Sequence, residues 1–493
     1  MKYFATLFLS FLFFLNLSSQ NTILKDQDHD INKALSTLIS YKENKTASIA
    51  FIAIDINTGE TLAELNSYTS LKPASTLKLL TTATALEVLG SDYRFETTIE
   101  YSGTIDSLSK TLNGDVYIIG GGDPSLGSEY FEQTKNHQFL NNWLTALKEI
   151  GVENINGRII ADASILEDDN IPPSWSWINI GNYFGAAPNG LTIYDNLYRI
   201  HFATSEIGST TQILKTDPYI PGLTIENHSK AAHVWYDKSN IFGAPYTYHR
   251  VIKGELPANK KDFIVKGAIP DPAFIAAYTL DSLLKKEGIS ISGTPSTKRL
   301  NKTLKSTNKT LVYTTFSPTL SDIIYQTNQK SINLFAEHLL LEVALKMNAT
   351  PETKTALDSL ISFWDLKGMD TQGLIIYDGS GLSQYNAINT QQMVFLLKYM
   401  KTKSVEFPSF ERSLAIAGKT GTLEFMFKNT LSQGLLIAKS GTIDHVKAYA
   451  GYTKTKSGRD IAFYIMINNY SGKTKLTTKR IEVLLNTITK SNI

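Results

Sequence analysis

Ser75-Thr76-Leu77-Lys78 places a hydroxyl and an amine three residues apart. A serine hydroxyl is a weak nucleophile until a base lies within hydrogen-bond reach, and a lysine can act as that base when burial lowers its pKa. Residues three apart on a helix share a face, so the two side chains can meet. The same spacing recurs at Ser107 and Lys110, Ser282 and Lys285, and Ser306 and Lys309. Context separates the four. Ser75 follows Pro73-Ala74 and a strand hairpin, opens a helix, and has apolar neighbours able to desolvate the lysine. The others lie in polar loops or, for Ser282, on a solvated helix face.

A second element, Ser331-Ile332-Asn333, precedes the amphipathic run 334–345. Its hydroxyl can pass a proton to a leaving amine, and its amide can hold a substrate amide. A helix N-terminal cap is an equally good structural reading of the same residues. The third element is Lys-Ser/Thr-Gly, found at Lys419-Thr420-Gly421, Lys439-Ser440-Gly441 and Lys456-Ser457-Gly458. The last is a hairpin turn. Lys439 lies inside a strand, where a small Ser-Gly pair lets a substrate backbone approach the sheet edge. Lys419 sits between glycines in an irregular stretch. Gly418-Lys419-Thr420 also looks like the end of a nucleotide-binding P-loop, but Ser413 stands where that loop needs its first glycine.

The elements that must position these residues can be read from pattern. The apolar run 47–55, the turn Asn57-Thr58-Gly59-Glu60 and the piece 61–65 predict a β-hairpin. Residues 75–89, ending at Gly90, predict a buried helix with Ser75 in its first turn. From 97 to 293 the chain changes to short strands separated by Gly, Pro and Asn, with helical pattern at 141–150 and 272–286. Residues 317–347 read as helical again. Strands at 435–443, 448–453 and 461–468 form an antiparallel meander, followed by a helix at 477–488 that packs on the sheet.

Composition bounds the function. The 493 residues, 42% hydrophobic and 19% charged, suffice for two or three domains. A net charge of +2 gives no reason to expect nucleic acid. The absence of cysteine removes disulfides, thiolate nucleophiles, thiolate metal sites and a lipid-modified N-terminal cysteine. Eight histidines show no metal-ligand spacing, so no metal or other cofactor is expected. Lys2 followed by the apolar run to Leu15 and the polar Ser18-Ser19-Gln20 reads as a secretory signal over residues 1–20. That run is shorter than the ~20 residues a spanning helix needs, so at most loose membrane association is expected, with an uncleaved anchor as the alternative. The expected location is the periplasm or cell envelope.

Ser-x-x-Lys, Ser-x-Asn and Lys-Thr/Ser-Gly in this order resemble the signature of the penicillin-recognising serine acyltransferases, which include D,D-peptidases and serine β-lactamases. The chain is most similar to the D-alanyl-D-alanine carboxypeptidase/endopeptidase family of low-molecular-mass class C penicillin-binding proteins. Further matches are Gly120-Gly121-Gly122-Asp123-Pro124-Ser125-Leu126, Asp378-Gly379-Ser380-Gly381-Leu382-Ser383, and Ala417-Gly418 with Gly421-Thr422-Leu423. β-Lactamases carry no insert as long as the stretch between Ser75 and Ser331.

The resemblance implies an α+β fold. An antiparallel sheet flanked by helices and a helical subdomain would be split as 21–97 and 296–493 around a large β-rich insert, 98–295, itself of one or two domains. In the family the Ala-Gly-x-x-Gly-Thr-Leu segment precedes the functional Lys-Thr-Gly by about twenty residues, which selects Lys439-Ser440-Gly441 over Lys419-Thr420-Gly421. It also implies Ser75 as nucleophile, Lys78 as base, Ser331 and Asn333 as partners, and Lys439 as a source of positive potential. Ser440, Gly441 and Thr442 would bind substrate, with the backbone N–H groups of Ser75 and Thr442 as oxyanion hole, worth on the order of 3 kcal/mol per donor. The implied partners are peptidoglycan peptides as substrate and β-lactams as inhibitors. A catalytically silent wall-binding protein and a β-lactamase are the competing readings.

Overall fold

The computed structural model describes residues 28–166, 171–301 and 308–492, so the expected signal segment and Ser306 lie outside the described residues. Six strands form one antiparallel sheet: β1 (Ser48–Asp55), β2 (Thr61–Leu65), β3 (Ala415–Ile416), β4 (Ile437–Ile443), β5 (Val446–Lys454) and β6 (Asp460–Asn468). Their order is β3-β4-β5-β6-β1-β2, which brings the first hairpin against the last strand of the chain. Strands β1 and β6 pair along their whole length, from Ser48 opposite Asn468 to Asp55 opposite Ile461.

The unbroken apolar character of β1 follows from burial on both sides, since a strand covered on both faces has no polar alternation. Ala50, Ile52 and Ile54 enter one core, Ile49, Phe51 and Ala53 the other. The hairpin turn is held by Asp55, whose carboxylate accepts from the N–H groups of Asn57 and Thr58. On one side of the sheet lie α1 (His29–Ser40) and, at the end of the chain, the helix Thr474–Lys490, longer at both ends than the 477–488 expected from its apolar face.

The other side is helical: α2 (Lys78–Leu89), α3 (Leu320–Lys330), α4 (Asn333–Lys346), α5 (Thr353–Leu366), α6 (Thr390–Lys403) and α7 (Phe407–Ser413). Trp364 of α5 is fully buried among them and donates its indole N–H to Thr84 Oγ1 of α2 at 2.8 Å. Two details differ from the sequence expectation. The chain from Ala74 to Leu77 is a 3-10 turn and α2 begins at Lys78. The helix expected over 317–347 is two helices, because Ser331 takes the left-handed conformation (φ 60°), which ends α3 and lets α4 start in a new direction.

The segment expected as an insert is entered by the strand Glu96–Ser102 and left by Lys309–Phe316, and these two strands pair antiparallel. They belong to a five-stranded sheet, with four-, three- and four-stranded sheets beyond it. One apolar cluster, including Trp143, Ile275 and Phe202, runs through this block. The block also reaches the helical side of the six-stranded sheet: Gln326 Nε2 donates to Tyr130 O, and Thr192 Oγ1 lies 2.8 Å from His338 Nε2 of α4.

The Trp364 contact makes a prediction about the helical side. Trp364→Ala should lower the unfolding free energy by about 3–5 kcal/mol in urea titration. A loss below about 1 kcal/mol would mean that α5 contributes little to the core.

Candidate active site

Ser75 lies in the turn between β2 and α2, where the sheet meets its helical side. The residue before it, Ala74, has φ 47°, a strained conformation for a residue with a Cβ. Two glycines make room for this turn. A Cβ on Gly381 would lie 2.0 Å from Ala74 O, and one on Gly441 would lie 2.6 Å from Pro73 O and 3.1 Å from Ser75 N. The space left by Gly441 is therefore filled by the chain's own backbone around Ser75, where the sequence suggested only room for an incoming peptide.

Lys78 opens α2 and has no exposed surface. Its Nζ reaches three acceptors: Ser75 Oγ at 3.1 Å, Asn333 Oδ1 at 2.6 Å and Ser380 O at 2.7 Å. Burial lowers its pKa to about 7, opposed by the carboxylates of Asp378 and Glu337. An amine at this value is substantially neutral near physiological pH, and its lone pair can accept a proton.

The loop 378–383 holds Lys78 from below. Asp378 Oδ1 accepts from Gly381 N, and Oδ2 from Ser383 N and from the indole of Trp175. The two carboxylate oxygens of Glu337 accept from Gly379 N and Ser380 N. Burial and the nearby Asp378 push Glu337 up, while these two hydrogen bonds and Lys78 favour its charged form. Together the two acids fix the carbonyl of Ser380 where it receives Lys78.

Ser331 stands at the break between α3 and α4. Its Oγ accepts from Lys439 Nζ at 2.9 Å, and Lys439 also donates to Ser440 O. Ser331 does not cap α4; Ile332 occupies that position without a side-chain hydrogen bond. The left-handed turn instead leaves the hydroxyl for Lys439. Two residues on, Asn333 presents Oδ1 to Lys78 and donates Nδ2 to the carbonyl of Phe184 at 2.8 Å. Lys439 is fully buried, and burial with the charges of Lys78 and Lys447 keeps its pKa well below the ordinary lysine value.

Side chains alternate along β4, so Lys439 points to the Ser331 side and Ser440 to the other. Ser440 Oγ donates to Thr422 Oγ1 at 2.8 Å. Thr442, exposed at the end of the strand, accepts at Oγ1 from Lys447. Strand β3 covers β4 only at Ala438 and Ile437, so from Lys439 to Ile443 that edge has no strand neighbour among the described residues.

The remaining matches lie apart from this cluster. Lys419 is exposed, and Thr420 Oγ1 accepts from Ile416 N within its own loop. Lys456 is exposed in the turn between β5 and β6. Lys110 pairs with Glu153, and Lys285 with Asp281. Sequence reasoning gave no role to Glu337, Asp378, Thr422, Phe184 or Lys447. A lysine inside the apolar strand Val446-Lys447-Ala448-Tyr449-Ala450 was a readable signal; a backbone carbonyl such as that of Phe184 leaves none. Among the described residues no group of three or more His, Asp or Glu gathers to hold a metal, and no helix is long and apolar enough to cross a membrane.

Comparison with known proteins adds an independent line. The chain is 25% identical over 456 residues to the D-alanyl-D-alanine carboxypeptidase DacB of Haemophilus influenzae, covering 90% of each. It is 25% identical over 443 residues to the D-alanyl-D-alanine carboxypeptidase of an Actinomadura species, covering 87% of this chain and 79% of that one. The crystal structure of penicillin binding protein 4 from Haemophilus influenzae superposes with a TM-score of 0.76 at 24% identity, covering 92% of this chain and 97% of the other. A second crystal structure of that protein, complexed with a β-lactam, gives a TM-score of 0.73 at 23% identity, covering 93% and 97%. Residues 31–488 match one family profile, and the chain belongs to the D-Ala-D-Ala carboxypeptidase 3 (S13) family.

Proposed function

We propose that the chain is an exported D,D-peptidase of the periplasm or cell envelope that cleaves D-alanyl-D-alanine bonds and peptide cross-links of peptidoglycan through an acyl-Ser75 intermediate. The observation that carries this reading is the buried Lys78 amine, 3.1 Å from Ser75 Oγ and lowered to about 7. It gives the serine a base without a histidine.

In this mechanism the neutral Lys78 takes the proton from Ser75 Oγ, which attacks the carbonyl carbon of the penultimate D-alanine. The peptide lies along the edge of β4 that β3 leaves uncovered beyond Ala438. The backbone N–H groups of Ser75 and Thr442 stabilise the negative oxygen of the tetrahedral intermediate. As the C–N bond breaks, the Ser331 hydroxyl gives its proton to the leaving amine, and Lys439, 2.9 Å away, restores it. Asn333 keeps Lys78 in place and offers its amide to the substrate. Once the leaving amine has gone, Lys78 gives up the serine's proton and Lys439 regains the one it lost. Water then attacks the acyl-serine, and the neutral Lys78 accepts the water's proton and passes it to Ser75 Oγ as the C–O bond breaks. A β-lactam acylates Ser75 in the same way but keeps its leaving amine tethered, so the adduct persists. One acylation site serves both the terminal residue and the cross-link.

A catalytically silent wall-binding protein would have no need of a desolvated amine beside a serine, and this favours the enzyme. A β-lactamase would release the β-lactam adduct, so persistence of the adduct decides against it.

Fluorescent penicillin should form a lasting adduct with the purified protein and none with Ser75→Ala; an adduct that survives the substitution would overturn the assignment. Lys439→Ala should slow acylation by about 100-fold or more, whereas Lys419→Ala should stay within about threefold of wild type. Equal losses, or the reverse ranking, would move the third motif to Lys419. Because Lys78 acts as a base only when neutral, the acylation rate should rise with pH through about 7. A rate independent of pH through about 7 would remove Lys78 from this role.

A further inference from the structure

We propose that Lys447 is a specificity-determining residue whose ammonium binds the carboxylate of the residue that leaves, beside the hydroxyls of Ser440 and Thr442. This rests on the D,D-peptidase reading above. Lys447 interrupts β5, whose other buried positions are filled mainly by Val, Ala, Tyr and Gly. It lies directly opposite Thr442 in the β4–β5 register, and its Nζ is 2.5 Å from Thr442 Oγ1. Strand alternation puts Ser440, Thr442 and Lys447 on the same face of the sheet, with the Thr422 hydroxyl adjoining Ser440.

Lys447 is 9% exposed, and no described carboxylate lies within ion-pair distance of it. Its Nζ donates to the Thr442 hydroxyl and lies 5.0 Å from the centre of the Tyr449 ring. Two other lysines around the sheet have a counter-charge: Lys401 and Lys454 both pair with Asp460. A buried cation without an anion is costly unless one arrives. Burial brings Lys447 to about 8, so the ammonium form still prevails at neutral pH.

Lys439 lies on the opposite face of β4 from Ser440 and Thr442, and donates there to Ser331 and also to Ser440 O. The hydroxyl side of the groove therefore has Lys447 as its cation. A terminal D-alanine and the D-centre of a cross-linking diamino acid share one feature: a carboxylate on the carbon next to the scissile nitrogen. Lys447 would bind that group in both.

The test compares an acyl-D-alanyl-D-alanine free acid with its C-terminal amide, and a cross-linked dipeptide with its carboxyl-amidated form. Lys447→Met should raise KM for both free acids by about tenfold or more while kcat changes by less than about threefold, and should leave both amides unchanged. Lys447→Arg should restore the preference for the acids. Loss on one acid substrate alone would confine the site to that source. Lys447→Gln is read in parallel, so that a packing failure of methionine does not decide the result. Equal losses on acids and amides would overturn the proposal, as would unchanged KM, or folding by the arginine variant alone. Failure of the wild-type protein to cleave either acid would instead overturn the D,D-peptidase reading.

Discussion

Lys78 has to be kept close to neutral while it lies within hydrogen-bond reach of Ser75, and a buried amine in that state needs two acceptors for its N–H groups and a hydroxyl facing its lone pair. Three elements far apart in the chain supply them: the turn carrying Ser75, the start of α4 with Asn333, and the carbonyl of Ser380. The carbonyl is set by Glu337 and Asp378, and the turn is fitted between Gly381 and Gly441. Placing one desolvated nitrogen thus requires the sheet edge, the helical side and the loop 378–383 to meet at one point. Desolvation alone would drive the pKa lower still; the two carboxylates oppose it and leave the amine near neutrality.

The second lysine depends on the first. Lys439 lies close enough to Lys78 for their mutual repulsion to help lower it. Two buried ammonium groups that repel are unfavourable, so one neutral and one charged amine is the favoured combination. The strain at Ala74 and the left-handed turn at Ser331 belong to the same constraint: each aims a hydroxyl that regular helix would direct elsewhere.

The segment between β2 and α3 takes part in this arrangement. The carbonyl of Phe184 orients the Asn333 amide so that its oxygen faces Lys78, and the indole of Trp175 shares Asp378 with the loop backbone. A block that composition alone distinguished as a separate unit therefore contributes two contacts next to the reactive groups.

Local pattern carried much of this protein. Ser75 and Lys78 could be paired because helical spacing is a property of the backbone, and β1, β5 and β6 could be read because strands buried on both faces are continuously apolar. The order of the three motifs identified the family, which the matching profile over residues 31–488 then showed. What tertiary structure decided is which copy of a repeated motif meets which partner. Lys419-Thr420-Gly421 and Lys439-Ser440-Gly441 look alike as strings, yet one lysine is exposed and the other lies fully buried against Ser331. The break at Ser331, the backbone acceptors of Phe184 and Ser380, and the placing of Lys447 opposite Thr442 had no certain local signature. Each depends on contacts between residues distant in the chain, and a pKa set by burial exists only once those contacts exclude water.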